Sequence, residues 1–183
     1  MNKQIESIKR HELYRPGRRL SPAKVAAWER SHVVSLPFEY REFLLEIGQS
    51  AYYPFGHLLP LNAWWHHLTG EGSCEASLPW LQQRFALPES FSTHEAWDTW
   101  VAEWEEHNRA EPWAGTIALT DEGCGMTSLL VVNGAFRGRV CFLDFPKPPW
   151  LFPQANFLEW FLACLEAKRT RSFAALLPPA GLP

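Results

Sequence analysis

After Glu111-Pro112 the apolar pattern changes from helical to extended, and it stays extended to Asp144. Before that point, Tyr40, Phe43, Leu44 and Ile47 fall at i, i+3, i+4 and i+7 behind Pro37 and ahead of Gly48, which predicts a helix with one core-facing stripe. After it, 116–120, 128–133 and 139–144 are rich in β-branched or aromatic residues. Glycine-bearing connections at 121–125 and 133–138 separate them, so a three-stranded antiparallel meander is expected. The 183 residues suffice for one domain with a proper core and are short for two. A single domain over 1–177 with a flexible tail at 178–183 is therefore expected.

Other elements carry their own start signals. Ser21-Pro22 places a capping hydroxyl before a proline at the first helical position, where the missing N–H is harmless. Ser92-Thr93-His94-Glu95 reads as a capping box opening a helix to about Asn108, with Trp97, Trp100, Val101 and Trp104 as its apolar stripe. That stripe either docks the helix on the domain or faces a partner. Prolines and glycines between 51 and 88 predict loops and short pieces. Pro146-Lys147-Pro148-Pro149 reads as a bridge to a last helix on which Phe157, Trp160, Phe161, Cys164 and Leu165 share a face.

The formal net charge of -3 hides a segregation along the chain. Residues 1–69 and 126–183 are each mildly basic, whereas 70–125 hold eleven acidic residues against two basic ones, Arg84 and Arg109. Such a field repels nucleic acid and attracts a basic partner, and it speeds association more than it deepens affinity. Glu103, Glu105, Glu106, Asp121 and Glu122 are the candidate polar contacts. The ten tryptophans are several times ordinary usage, and indoles are enriched at binding hot spots. Trp64 and Trp65, in a stretch without core periodicity, are the candidate anchors.

The first twenty residues mix charged and apolar positions, which predicts no secretory signal. The longest aliphatic run, 129–132, is far below the roughly 20 residues of a membrane-spanning helix. Cys74, Cys124, Cys141 and Cys164 are widely spaced with no Cys-x-x-Cys pair, so reduced thiols in a cytoplasmic protein are the simplest expectation.

Two stretches resemble the SUKH superfamily, known from a fungal cell-wall-synthesis regulator and from bacterial toxin-immunity proteins. The first is Trp28-Glu29 followed by the run from Leu36-Pro37 through Tyr40 and Phe43-Leu44 to Gly48. The second comprises Gly115 to Leu119, Gly123-Cys124-Gly125, Leu129 to Val132 and Gly138-Arg139-Val140, closed by Phe157-Leu158-Glu159-Trp160. The chain departs from the pattern at Met126, where Asp is common, and at Gln49-Ser50, where Asn-Gly-Gly or similar is common. The resemblance implies an α+β domain, with an antiparallel or mixed sheet flanked by helices. The acidic, Trp-rich region around 53–113 is then an insertion. In bacterial members the implied role is an immunity protein that binds a cognate toxin and covers its active site. Fungal members imply an intracellular regulatory scaffold instead.

An enzyme is the less favoured class. His57, His66, His67 and His94 with Glu71 and Cys74 lack metal-ligand spacing, since adjacent histidines point in different directions on either a helix or a strand. Cys124, near Asp121, is the one chemically suggestive nucleophile, but no histidine lies near it in sequence. No cofactor or metal is expected, and the expected partner is a toxin with a basic active-site surface rather than nucleic acid or a membrane.

Overall fold

The computed structural model describes residues 2–53, 56–64, 77–89, 91–107, 111–123, 126–144, 147–172 and 176. It combines helices with one four-stranded antiparallel sheet, an α+β arrangement. Helix α1 (Lys3–Arg10) was not anticipated, because its buried side is only Ile5 and Ile8, one turn apart among charged residues. Asn2 caps it by accepting from the Gln4 N–H, and Lys9 and Arg10 suit the negative end of its dipole.

Helix α2 (Pro22–His32) starts as expected, with the Ser21 side chain accepting from the Lys24 N–H and Pro22 in the first turn. Its final residue, His32, is buried and stacks on Trp28 with ring centroids 4.1 Å apart. Helix α3 (Phe38–Glu46) buries Tyr40, Phe43 and Leu44, and Ile47 follows them into the core. Gly48 then turns the chain at φ 108°. A Cβ there would lie 2.5 Å from the Arg18 carbonyl carbon, because the segment around Arg18 bridges to Gln49.

Strands β1 (Tyr52–Tyr53) and β2 (Gly56–His57) form a small hairpin, and α4 (Ser77–Gln82) precedes α5 (His94–His107). The main sheet runs β3 (Thr116–Ala118), β4 (Met126–Val131), β5 (Val140–Asp144) and β6 (Lys147–Leu151), in that order and antiparallel throughout. Ile117 pairs with Leu130, Leu129 with Cys141, and Phe142 with Trp150.

The fourth strand corrects the sequence reading, which took the proline-rich segment for a bridge. Two features make a proline strand possible here. β6 is an edge strand, where a missing N–H is tolerated. Between the pairs Phe142–Trp150 and Asp144–Lys147 the register also shifts, so that Leu143 alone faces Pro148 and Pro149.

Helix α6 (Phe157–Thr170) closes the fold. The Asn156 side chain accepts from the Glu159 N–H, and the Glu159 carboxylate in turn accepts from the Ala155 N–H. Phe157, Trp160, Phe161, Cys164 and Leu165 are fully buried, as the spacing predicts. The Phe43 ring meets Phe157 and Phe161 edge-on at 4.9 Å each, and Phe152, just past β6, reaches Trp160 at 5.9 Å. Edge-to-face pairs of this kind add to the hydrophobic gain. The buried residues from Ile5 to Leu176 form one continuous core cluster.

Candidate partner-binding surface

Helix α5 is built to dock by one side and to remain polar on the other. Its cap lies one residue later than the sequence suggests: the Ala96 N–H donates to Thr93 Oγ1 at 3.1 Å. Thr93, rather than Ser92, is thus the capping residue, and the third helical position is Ala96, which breaks the expected Ser–Glu reciprocity.

The tryptophan stripe splits into two roles. Trp97 is 4% exposed and packs edge-on against Phe91 at 5.0 Å, so it anchors the helix to the domain. Trp100 and Trp104 continue the stripe outward as half-buried rings. Trp97 stacks on Trp100 at 6.0 Å, and Trp100 on Trp104 at 5.3 Å, giving a ladder that runs from the core to the surface. The inner rung thus follows the docking alternative for this stripe.

Glu103, Glu105 and Glu106 are exposed on the same helix. Among the described residues, none of these three side chains makes a hydrogen bond or an ion pair with a cation. The His107 ring donates through Nδ1 to the Glu103 carbonyl at 2.8 Å and so serves the helix end rather than a carboxylate. Two shallow depressions share Trp100 and Glu103. One continues along Trp104, Glu106 and His107, the other along Glu95, Ala96 and Thr99 towards Thr93. Both are lined by α5 and its capping residue alone. Beyond the end of α5, partial burial and then the nearby Glu105 charge raise the Glu111 carboxyl above its ordinary value.

The other sequence candidates fare differently. Trp64 is 2% exposed and part of the core, so it is not offered to a partner as expected. Its stretch lacks periodicity because it follows a turn, where the Ala63 N–H donates to the Pro60 carbonyl, and a single large side chain can enter the core without a repeat. Trp65 lies outside the described residues. Asp121 and Glu122 sit on the β3–β4 connection rather than on α5. Asp121 is exposed, and its Oδ1 accepts from the Gly123 N–H at 2.9 Å. Glu122 is half-buried and its Oε1 accepts from the Thr120 and Ser128 hydroxyls at 3.0 and 3.1 Å. That oxygen stiffens the strand junction, a use the charge count alone could not reveal.

Of the residues weighed for catalysis, His66, His67, Glu71, Cys74 and Cys124 lie outside the described residues. His57 and His94 are exposed, and His94 faces Asp98 one turn on at 3.7 Å. Among the described residues, no three His, Cys, Asp or Glu side chains are grouped to hold a metal. Cys141 and Cys164 are buried in the core, and burial pushes the Cys141 thiol far up, away from the reactive thiolate. Among the described residues, no helix is long and apolar enough to cross a membrane.

A second exposed apolar feature was not foreseen. Val33 and Phe38 are 68% and 62% exposed at the two sides of the α2–α3 loop, where Arg137 donates to the Ser35 carbonyl. The signal was present in the sequence as apolar residues bracketing Pro37, but it is equally the signature of a chain entering a helix.

No protein-family model matches the chain, and neither a curated protein nor a solved structure matches it.

Proposed function

We propose that this chain is a SUKH-like immunity protein, which binds a cognate bacterial toxin and neutralises it by covering the toxin's active site. The observation that carries the reading is the outer side of α5: a tryptophan ladder rising from the core beside Glu103, Glu105 and Glu106, carboxylates without a cation partner among the described residues. Half-buried aromatic side chains already ordered by stacking lose little entropy on binding. Rim carboxylates steer a basic partner into register.

The SUKH assignment rests on the order and spacing of the two sequence stretches, and the α+β architecture is compatible with it. Catalysis is no part of this mechanism; inhibition is steric and electrostatic. The test is co-expression with the product of the adjacent gene, scored for growth and for co-purification. Rescue of growth with a stable complex supports immunity. Absence of toxicity together with absence of a complex transfers the reading to an intracellular regulatory scaffold that binds endogenous proteins.

A further inference from the structure

Two large apolar side chains stand exposed among the described residues, Val33 and Phe38, and they sit at the two ends of one loop. The loop is pinned rather than slack. The Glu29 carboxylate accepts from the Leu36 N–H at 2.9 Å and faces Arg41 at 3.7 Å, while the Val34 N–H donates to the Glu29 carbonyl at 3.1 Å and Arg137 to the Ser35 carbonyl at 2.8 Å. A valine held at φ 50° and a phenylalanine held in water both cost the isolated chain stability, and a surface already fixed in shape loses little entropy when it is covered. Beside Val33 a shallow depression lies where the last turns of α2 meet the loop, lined also by Ala26, Glu29, Arg30, Val34 and Ser35. Arg30 is exposed, and Glu39, next to Phe38, is half-buried. Neither side chain makes an ion pair or a hydrogen bond among the described residues.

We propose that two copies of the chain meet on this face about a two-fold axis, with Phe38 of each entering the depression beside Val33 of the other and Glu39 of each pairing with Arg30 of the other. Charge complementarity selects the occupant. A uniformly acidic partner would answer Arg30 and repel Glu39, and a uniformly basic one would do the reverse. A second copy answers both, because a two-fold axis sets the knob of each protomer against the socket of its partner, and every contact forms twice. The interface is small and its ion pairs lie at the rim, so the dimer is weak and depends on protein concentration. The proposal stands apart from the immunity reading, since none of these residues lies on α5.

Sedimentation velocity of the full chain from about 10 μM to about 1 mM is expected to show a monomer giving way to a dimer. Phe38→Asp is expected to keep the chain monomeric across that range. Arg30→Glu and Glu39→Arg are each expected to raise the dissociation constant about tenfold or more, since either one sets like charges together at two places. The two charge variants mixed in equal amounts are expected to dimerise again. In the mixed dimer the introduced glutamate faces the introduced arginine, and the native Glu39 and Arg30 face one another at the second contact. Circular dichroism matching the wild type shows that each variant is folded; should a charge variant unfold, the Phe38→Asp result decides alone. A wild type that stays monomeric to about 1 mM overturns the proposal, as does a dimer that Phe38→Asp leaves intact. Folded charge variants whose mixture remains monomeric overturn it as well, because the two-fold pairing requires their recovery.

Discussion

Val33 closes α2 in the left-handed region at φ 50°, with 68% of its surface in water. For a β-branched residue this conformation costs roughly 1–2 kcal/mol, and so exposed a side chain recovers little of it by burial. Asparagine tolerates the same conformation, so Val33→Asn is expected to raise stability by about 1 kcal/mol, read as a higher urea midpoint at unchanged slope. A lowered midpoint would mean that the valine makes a contact worth more than its strain. Glu111 offers a second case at this scale. Its folded pKa is raised, first by burial and then by Glu105, so the protonated form is favoured in the folded state. That contribution is present below the ordinary carboxylate pKa and is lost as pH rises through the folded value, above which the charge is a net cost. Glu111→Gln is thus expected to melt above wild type at pH 7, with the gap closing as pH falls through the carboxylate range. Equal melting temperatures at pH 7 would show that neither burial nor the Glu105 charge penalises the ionised carboxylate.

At the scale of elements, the cap of α5 gives a clean comparison between neighbouring residues. Thr93→Ala removes the hydroxyl that accepts from the Ala96 N–H and is expected to cost about 1 kcal/mol, whereas Ser92→Ala should stay within about 0.5 kcal/mol. The reverse ranking in thermal melts would restore the Ser92 capping box. The one-residue error is instructive, because both residues carry the right oxygen and only the backbone decides which one stands at the junction. The same limit governs the other misreadings. α3 and α6 were legible because Tyr40, Phe43 and Leu44, and then Phe157, Trp160, Phe161, Cys164 and Leu165, repeat often enough to define a face. α1 was not, since Ile5 and Ile8 make a single turn and the helix depends on packing against α6. β6 was hidden because Pro148 and Pro149 argue against a strand wherever the edge position and the shift opposite Leu143 are unknown. Within the candidate surface, the carboxylates of α5 were legible from charge and spacing. The core position of Trp64 and the internal hydrogen bonds of Glu122 depend on long-range packing, which leaves no local pattern.

At the scale of the whole molecule, the distribution of charge matters more than its sum. A net charge of -3 is too small to steer anything by itself, but α5 gathers Glu95, Asp98, Glu103, Glu105 and Glu106 on one helix, while both ends of the chain lean basic. A field of this kind acts on the encounter rate, and its reach is set by salt: about 10 Å at 0.1 M and about 3 Å at 1 M. Reversing Glu103, Glu105 and Glu106 to lysine together is therefore expected to slow association with the toxin about tenfold or more at low ionic strength. It should also flatten the dependence of the rate on salt, while the dissociation rate changes less. Stopped-flow mixing at several salt concentrations measures both, with the circular dichroism of the variant confirming that the helix is intact. The wild-type and variant rates should converge near 1 M salt, because the steering charges then act only at contact. An association rate that the triple reversal leaves unchanged at low salt removes α5 from the interface and directs attention to the exposed Val33 and Phe38 side of the molecule.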